Sequence, residues 1–215
     1  MKYPFSDKCN IAWFKLAEYA ARGEKERAIG IYKLLILTFD DHAFSYQLEG
    51  DLLMLFQDDT AIEKYIKSGN LYLKENRLIQ AAGVYEHLAT LRPENEEYIK
   101  QLIDIYKTLD IENNVILTKK RLCKIYIQNN NLSDALKLLK VLEKIDKDLT
   151  EIYEQISIKM IKTQNYEPEL IIKYLQKSAD GYFYNNDHKL LQEMITKLEA
   201  LDAHYHSKII EYLKK

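Results

Sequence analysis

Apolar residues recur at i, i+3, i+4 and i+7 along almost the whole chain, and no long stretch alternates with period two. That pattern predicts amphipathic helices and no sheet. Helix-breaking residues interrupt it at steps of about 17–18: Gly23, Asp40-Asp41, Asp58-Asp59, Asn76, Pro93, Asp110, Asn129 to Asn131, Asp148, Asn165, Asn185 to Asp187 and Asp202. The spacing predicts about twelve helices, near 8–22, 24–38, 41–57, 60–75, 77–92, 95–109, 112–128, 132–147, 149–164, 167–184, 188–200 and 203–213. Ser133 and Asp134 open one of them, and Thr60 with Glu63 has the spacing of a capping box. No Ser-, Gly- or Pro-rich linker divides the chain, which predicts one continuous domain over residues 1–215.

One spacing returns three times. GNLYLKEN, CKIYIQNN and ADGYFYNN each set a small residue (Gly69, Cys123, Ala179) three places before a tyrosine (Tyr72, Tyr126, Tyr182), with Asn76, Asn130 or Asn186 four places further on. A small residue lets two helix axes approach, the tyrosine packs one turn later, and Asn adopts the left-handed conformation that reverses a chain. A longer period of about 54 residues runs alongside. Ala28, Ala81, Ala135 and Leu191 are spaced by 53, 54 and 56, and Leu35, Leu88, Leu142 and Leu198 take the same steps. Gly23 heads the series of Asn76, Asn130 and Asn186, while Gln47, Gln101 and Gln155 are 54 apart. Fifty-four residues is the length of three helices, so hairpins are expected to recur with a third helix between them. No hairpin buries its apolar face alone, so neighbours must stack.

Residues 62–95, with Gly69, Tyr72, Ala81, Tyr85, Leu88 and Pro93, resemble the tetratricopeptide repeat (TPR), a helix–turn–helix unit of about 34 residues. Other stretches keep parts of it. Residues 116–149 retain Cys123, Tyr126 and Ala135; residues 96–115 retain Leu102 and Tyr106 but place Val115 where Ala belongs; the N-terminal stretch retains Trp13, Leu16, Ala17, Ala28 and Tyr32. The resemblance implies an all-α, right-handed TPR-like α-solenoid of about twelve antiparallel helices.

Composition agrees with a packed helical chain. Of 215 residues, 47% are hydrophobic and 30% charged, and only six are Gly and three Pro. Both residues disfavour helix interiors. The net charge of −2 provides no field that would gather nucleic acid. Cys9 and Cys123 make no disulfide framework and are expected as buried thiols in a reducing compartment. The N-terminal stretch lacks an uninterrupted apolar core and a cleavage site, so no signal peptide is expected. The most apolar run, IGIYKLLILTF, contains Lys33 and is too short to span a bilayer. Together these features predict a cytoplasmic protein with no integral membrane segment.

Enzyme signatures are absent from the sequence: no GxGxxG, GxxxxGK[ST], HExxH, GxSxG or CxxC occurs. His204 and His206 lie two apart on a predicted helix, so their rings diverge and cannot share a metal as i, i+4 ligands do. Asp58-Asp59 falls at a helix junction and reads as a cap. Lys119, Lys120, Arg121 and Lys124 surround Cys123 and would lower a thiol pKa, yet the small-residue position of Cys123 argues for burial. No catalytic residue, cofactor site or metal site is expected.

The largest local charge bias is TKKRLCK (118–124), with Lys137, Lys140, Lys144 and Lys147 on the next predicted helix. Charged helix faces are usually solvated surface. If these two faces share a concave surface, Lys119, Lys120, Lys124, Lys137, Lys140 and Lys144 form a positive strip for an acidic partner segment. The 17 tyrosines are mostly at core spacings, and a minority would face a groove.

AIEKYIKSGNLYLKEN (61–76) and LIIKYLQKSADGYFYNN (170–186) also resemble the AIxxYxxSAxxY helices of the soluble NSF attachment proteins (SNAPs). That resemblance implies an adaptor that holds a SNARE helical bundle in vesicle fusion. The chain is shorter than those proteins and ends in EYLKK rather than an acidic stretch with a penultimate leucine. The leading expectation is a non-catalytic scaffold or adaptor that binds another protein, as a peptide, helix or helical bundle, in a groove. Peripheral membrane association would come through such a partner.

Overall fold

The computed structural model describes residues 7–214, with side chains from Ile11 onward. Cys9 and its predicted burial lie outside the described side chains. Among the described residues there are twelve α-helices and no strand. The chain divides into two compact units, one ending at Asp110 and the other beginning at Ile111.

The first unit holds α1 (Asp7–Ala21), α2 (Lys25–Ile36), α3 (His42–Leu55), α4 (Ala61–Lys74), α5 (Leu78–Leu91) and α6 (Glu96–Thr108). Each packs mainly on its chain neighbour, α1 on α2, α3 on α4, α4 on α5 and α5 on α6. The second unit holds α7 (Glu112–Gln128), α8 (Leu132–Leu142), α9 (Thr150–Thr163), α10 (Pro168–Tyr184), α11 (His188–Leu201) and α12 (Ala203–Leu213). There α7 pairs with α8 and also touches α9, α9 lies along α10, and α12 closes against α10 and α11.

The 54-residue period is a core period. Leu35, Leu88, Leu142 and Leu198 are each 2% exposed or less, and Ala28, Ala81 and Ala135 are fully buried. The small residues sit at helix contacts: Cys123 and Ala179 are buried, and a Cβ built on Gly69 would come within 2.9 Å of the Tyr85 ring on α5. Tyr72 and Tyr182 are buried one turn on, while Tyr126 is half-buried. Asn76, Asn130 and Asn186 have φ of 57°, 61° and 59°, and Gly23 has 72°, so each reverses the chain from the left-handed region. A second left-handed series, Gln57, Asp110 and Gln164, follows α3, α6 and α9. Among the helices followed by another, α2, α5, α8 and α11 end without one and run on into the connector to the third helix of each repeat.

Caps follow side-chain chemistry. Asp41, Asn95 and Asp202 accept first-turn N–H groups of α3, α6 and α12, and Pro168 opens α10 where no N–H is needed. The capping box expected from Thr60 and Glu63 does not form. Thr60 is itself helical, and both its N–H (2.9 Å) and hydroxyl (2.6 Å) donate to Asp58 Oδ1. Asp58 thus holds the turn before α4 rather than an N–H of the helix itself, and Lys25 bonds its other oxygen at 2.6 Å. Lys25 and Thr60 together hold its carboxyl well below the usual range. The predicted 132–147 helix stops at Leu142. Beyond it the backbone N–H groups of Lys144 and Ile145 bond back three residues, and Asp146 turns to meet Lys120 and the N–H of Asp148. Lys144 and Lys147 therefore lie in a connector.

Candidate functional site

The second unit carries a groove made of two adjoining cavities that share Asp148, Thr150 and Glu151. The first, about 310 Å³, opens between α7 and the start of α9, with Leu117, Lys120, Arg121 and Lys124 on one wall and Leu149 and Ile152 beneath. The second, about 460 Å³, continues along α9 to the α10–α11 junction and is lined by Glu154, Gln155, Tyr182, Asp187, Leu190 and Lys197 among others.

A close helix contact builds the shared middle. A Cβ on Gly181 would collide with the Thr150 side chain, so only glycine on α10 lets the α9 N-terminus sit this near. Thr150 is buried, and its hydroxyl donates to Asp148 at 3.0 Å. Leu149, at the α9 N-cap, offers no side-chain acceptor, so no side chain caps the first-turn N–H groups beside this cavity.

Two networks set the electrostatics. At the α7 end, Lys120 bonds Asp146 at 2.6 Å and donates to the Asp148 carbonyl, while Lys124 pairs with Glu151. Burial pushes the Asp146 carboxyl up, but the Lys120 ammonium and backbone N–H donors outweigh it, so it sits below its ordinary value. At the other end Glu154 is only 5% exposed. It accepts the Tyr182 hydroxyl on one oxygen and the Lys197 ammonium, 2.8 Å away, on the other. Burial, reinforced by the Glu154 carboxylate, pushes the Tyr182 phenol well above its usual range.

The strip expected from sequence is divided. Lys120 and Lys124 line the groove, and half-buried Lys119 adjoins them on α7. Lys137 and Lys140 stand exposed on α8, with Lys137 paired to Asp134, and Lys144 is exposed beyond the helix end; none of the three lines either cavity. Glu151, Glu154, Asp187 and Lys197 were not legible as site residues. Tyr182 stood out, but only as a packing position. Cys123 is buried on α7, its Sγ 3.5 Å from the Ala135 carbonyl, and burial pushes its pKa up to about 12.

Stacked helix hairpins with small-residue contacts and left-handed turns make this an all-α, TPR-like helical-repeat protein. The sequence matches no family model and no curated protein sequence. Among solved structures it is similar to TPR-like repeats of a kinesin light chain from Podosopora anserina, at 15% identity over 95% of this chain and 98% of that one, with a TM-score of 0.37. It is also similar to YrrB, a TPR protein with an unusual peptide-binding site, at 13% identity over 69% and 91% of the two chains, with a TM-score of 0.25. No helix among the described residues is long and apolar enough to cross a membrane.

Proposed function

We propose that the protein is a non-catalytic interaction scaffold whose second-unit groove receives a segment of a partner protein. The observation that carries this reading is the groove itself. It is lined by four helices, α7, α9, α10 and α11, and places exposed apolar side chains, Leu117 at 62% and Leu190 at 43%, near charged groups. Apolar anchors inside a polar frame are the usual chemistry of peptide recognition. Lys120 and Lys124 edge this site, while Lys119, on α7 but outside the lining, and Lys137, Lys140 and Lys144, on and just beyond α8, add basic surface that acts on encounter rate.

The test is selection of a displayed random peptide library against the full chain, followed by binding of the recovered peptides to Leu117→Asp and Leu190→Asp. Both residues are exposed, so the fold should tolerate the changes. Recovered peptides should bind at least one variant about tenfold more weakly, the scale of losing an apolar anchor. No recovered binder, or binders indifferent to both changes, would overturn the reading.

A further inference from the structure

α1 has two apolar faces. One, with Leu16 buried and Trp13, Tyr19 and Ala20 half-buried, packs into the core it shares with α2. The other carries Ile11, Phe14, Ala17 and Ala21, at steps of three, three and four, so that they line one side of the helix. All four are exposed, Phe14 at 78% and Ile11 at 54%. We propose that a second copy of the chain covers this stripe, α1 lying antiparallel on the other copy's α1 about a two-fold axis level with Leu16. The interface belongs to the first unit and stands or falls independently of the groove.

Two observations mark the stripe as a packing surface. Ala17 is the small residue that the repeat spacing keeps for a helix contact. At the corresponding places Gly69, Cys123 and Ala179 are buried, whereas Ala17 is exposed. An array of stacked helices also needs a polar outer face where nothing further packs on it. α12, last in chain order, has such a face, with His204, Ser207, Lys208 and Glu211 exposed. On α1 the outward stripe is apolar, and charge is confined to one flank, at Lys15, Glu18 and Arg22.

The stripe is complementary to itself. Its large residues, Ile11 and Phe14, occupy the N-terminal half, and its small ones, Ala17 and Ala21, the C-terminal half. An antiparallel copy sets Ile11 over the other copy's Ala21 and Phe14 over its Ala17, and symmetry repeats both contacts. A parallel copy would set large on large and leave gaps between the small residues. Lys15 and Glu18 lie on the same flank of the stripe, and antiparallel helices bring like flanks together, so each Lys15 comes level with the other copy's Glu18. Glu18 bonds Arg22 through one oxygen at 2.7 Å, and its carboxylate can accept further donors. The four side chains, with the stems of Lys15 and Glu18, would bury about 800 Å² over both copies, below the roughly 1,200 Å² where standard interfaces begin. The dimer is therefore weak, and concentration decides its population.

Sedimentation velocity of the full chain from about 1 to 500 μM tests this. The mean sedimentation coefficient should rise from a monomer to a dimer value, with a dissociation constant of about 10–100 μM. Phe14→Glu, at a side chain exposed in the single chain, should raise that constant at least tenfold and leave the thermal melt at low concentration unchanged. Lys15→Glu should weaken the dimer about threefold by setting carboxylates against each other, and Lys15→Glu combined with Glu18→Lys should restore it to within about twofold. A chain that stays monomeric across the range, whether another segment covers α1 or nothing does, overturns the proposal. So does a dimer indifferent to Phe14→Glu or Lys15→Glu, or one that the double exchange fails to restore, since it would not be built on antiparallel α1.

Discussion

Among the described residues, seven turn the chain through the left-handed region, and six of them carry a side chain. For an L-residue that conformation costs about 1–2 kcal/mol, less for Asn and Asp, which bond locally. Gln164, at φ 54°, has no such compensation. Gln164→Gly should raise stability by about 0.5–1 kcal/mol, and Asn130→Val should lower it by about 1–2 kcal/mol, read from urea midpoints at unchanged m-value. An unmoved midpoint for both would mean these turns bear no conformational cost. Cys123 gives a second prediction at this scale. Enclosed between α7 and α8 with its pKa pushed up to about 12, it should alkylate far more slowly in the folded chain than in denaturant. Equal rates would return it to consideration as a reactive thiol.

Between elements, the contacts depend on small residues and on tyrosines that reach across. The Tyr85 ring lies against Gly69, so Gly69→Leu must overpack α4 against α5 and cost about 1–3 kcal/mol. Leu88, fully buried on α5, should cost about 2–5 kcal/mol when cut to Ala, through lost burial and a cavity. Thermal melts check both. Each of several buried tyrosines also tethers its helix to a neighbouring element by a hydroxyl bond to a carboxylate: Tyr65 to Asp51 at 2.7 Å, Tyr106 to Glu86 at 2.8 Å, Tyr153 to Glu143, just past the end of α8, at 2.9 Å, and Tyr182 to Glu154. A phenol fits this role because its ring fills the space between helices while its hydroxyl reaches the polar rim. That accounts for much of the tyrosine content.

For the whole molecule these tethers set an alkaline limit. Burial first, and the adjoining carboxylates second, push Tyr32, Tyr65, Tyr153 and Tyr182 above the ordinary tyrosine value of 10.0. The unfolded chain releases those protons near pH 10 while the folded chain keeps them. Their contribution is therefore complete below pH 10 and is lost as pH rises from there toward the folded values. The melting temperature should fall steeply above pH 10, and the buried phenols should ionise together with unfolding in the ultraviolet. Titration of all 17 at the ordinary value without unfolding would contradict this. The one-domain reading of residues 1–215 predicts a single calorimetric transition, and two resolved transitions would overturn it.

The sequence alone determined the helices, their three-helix period, the buried leucines at 35, 88, 142 and 198, and the left-handed asparagines. All of these depend on local conformation and on spacing along one chain, which the order of residues records directly. Gln57 and Gln164 escaped notice because glutamine has no turn chemistry of its own; the end of the preceding helix imposes their conformation. Only the tertiary structure decided the site. Lys120 and Lys124 read as cations for a partner, but Asp146 and Glu151, 26 and 27 positions away, fold onto them. Glu154 reads as one more surface carboxylate, yet it is enclosed where α9 lies along α10, with Tyr182 and Lys197 meeting it from 28 and 43 positions away. Charge pairing and burial across helices depend on how the elements pack, and no local pattern encodes which face of α9 that packing covers.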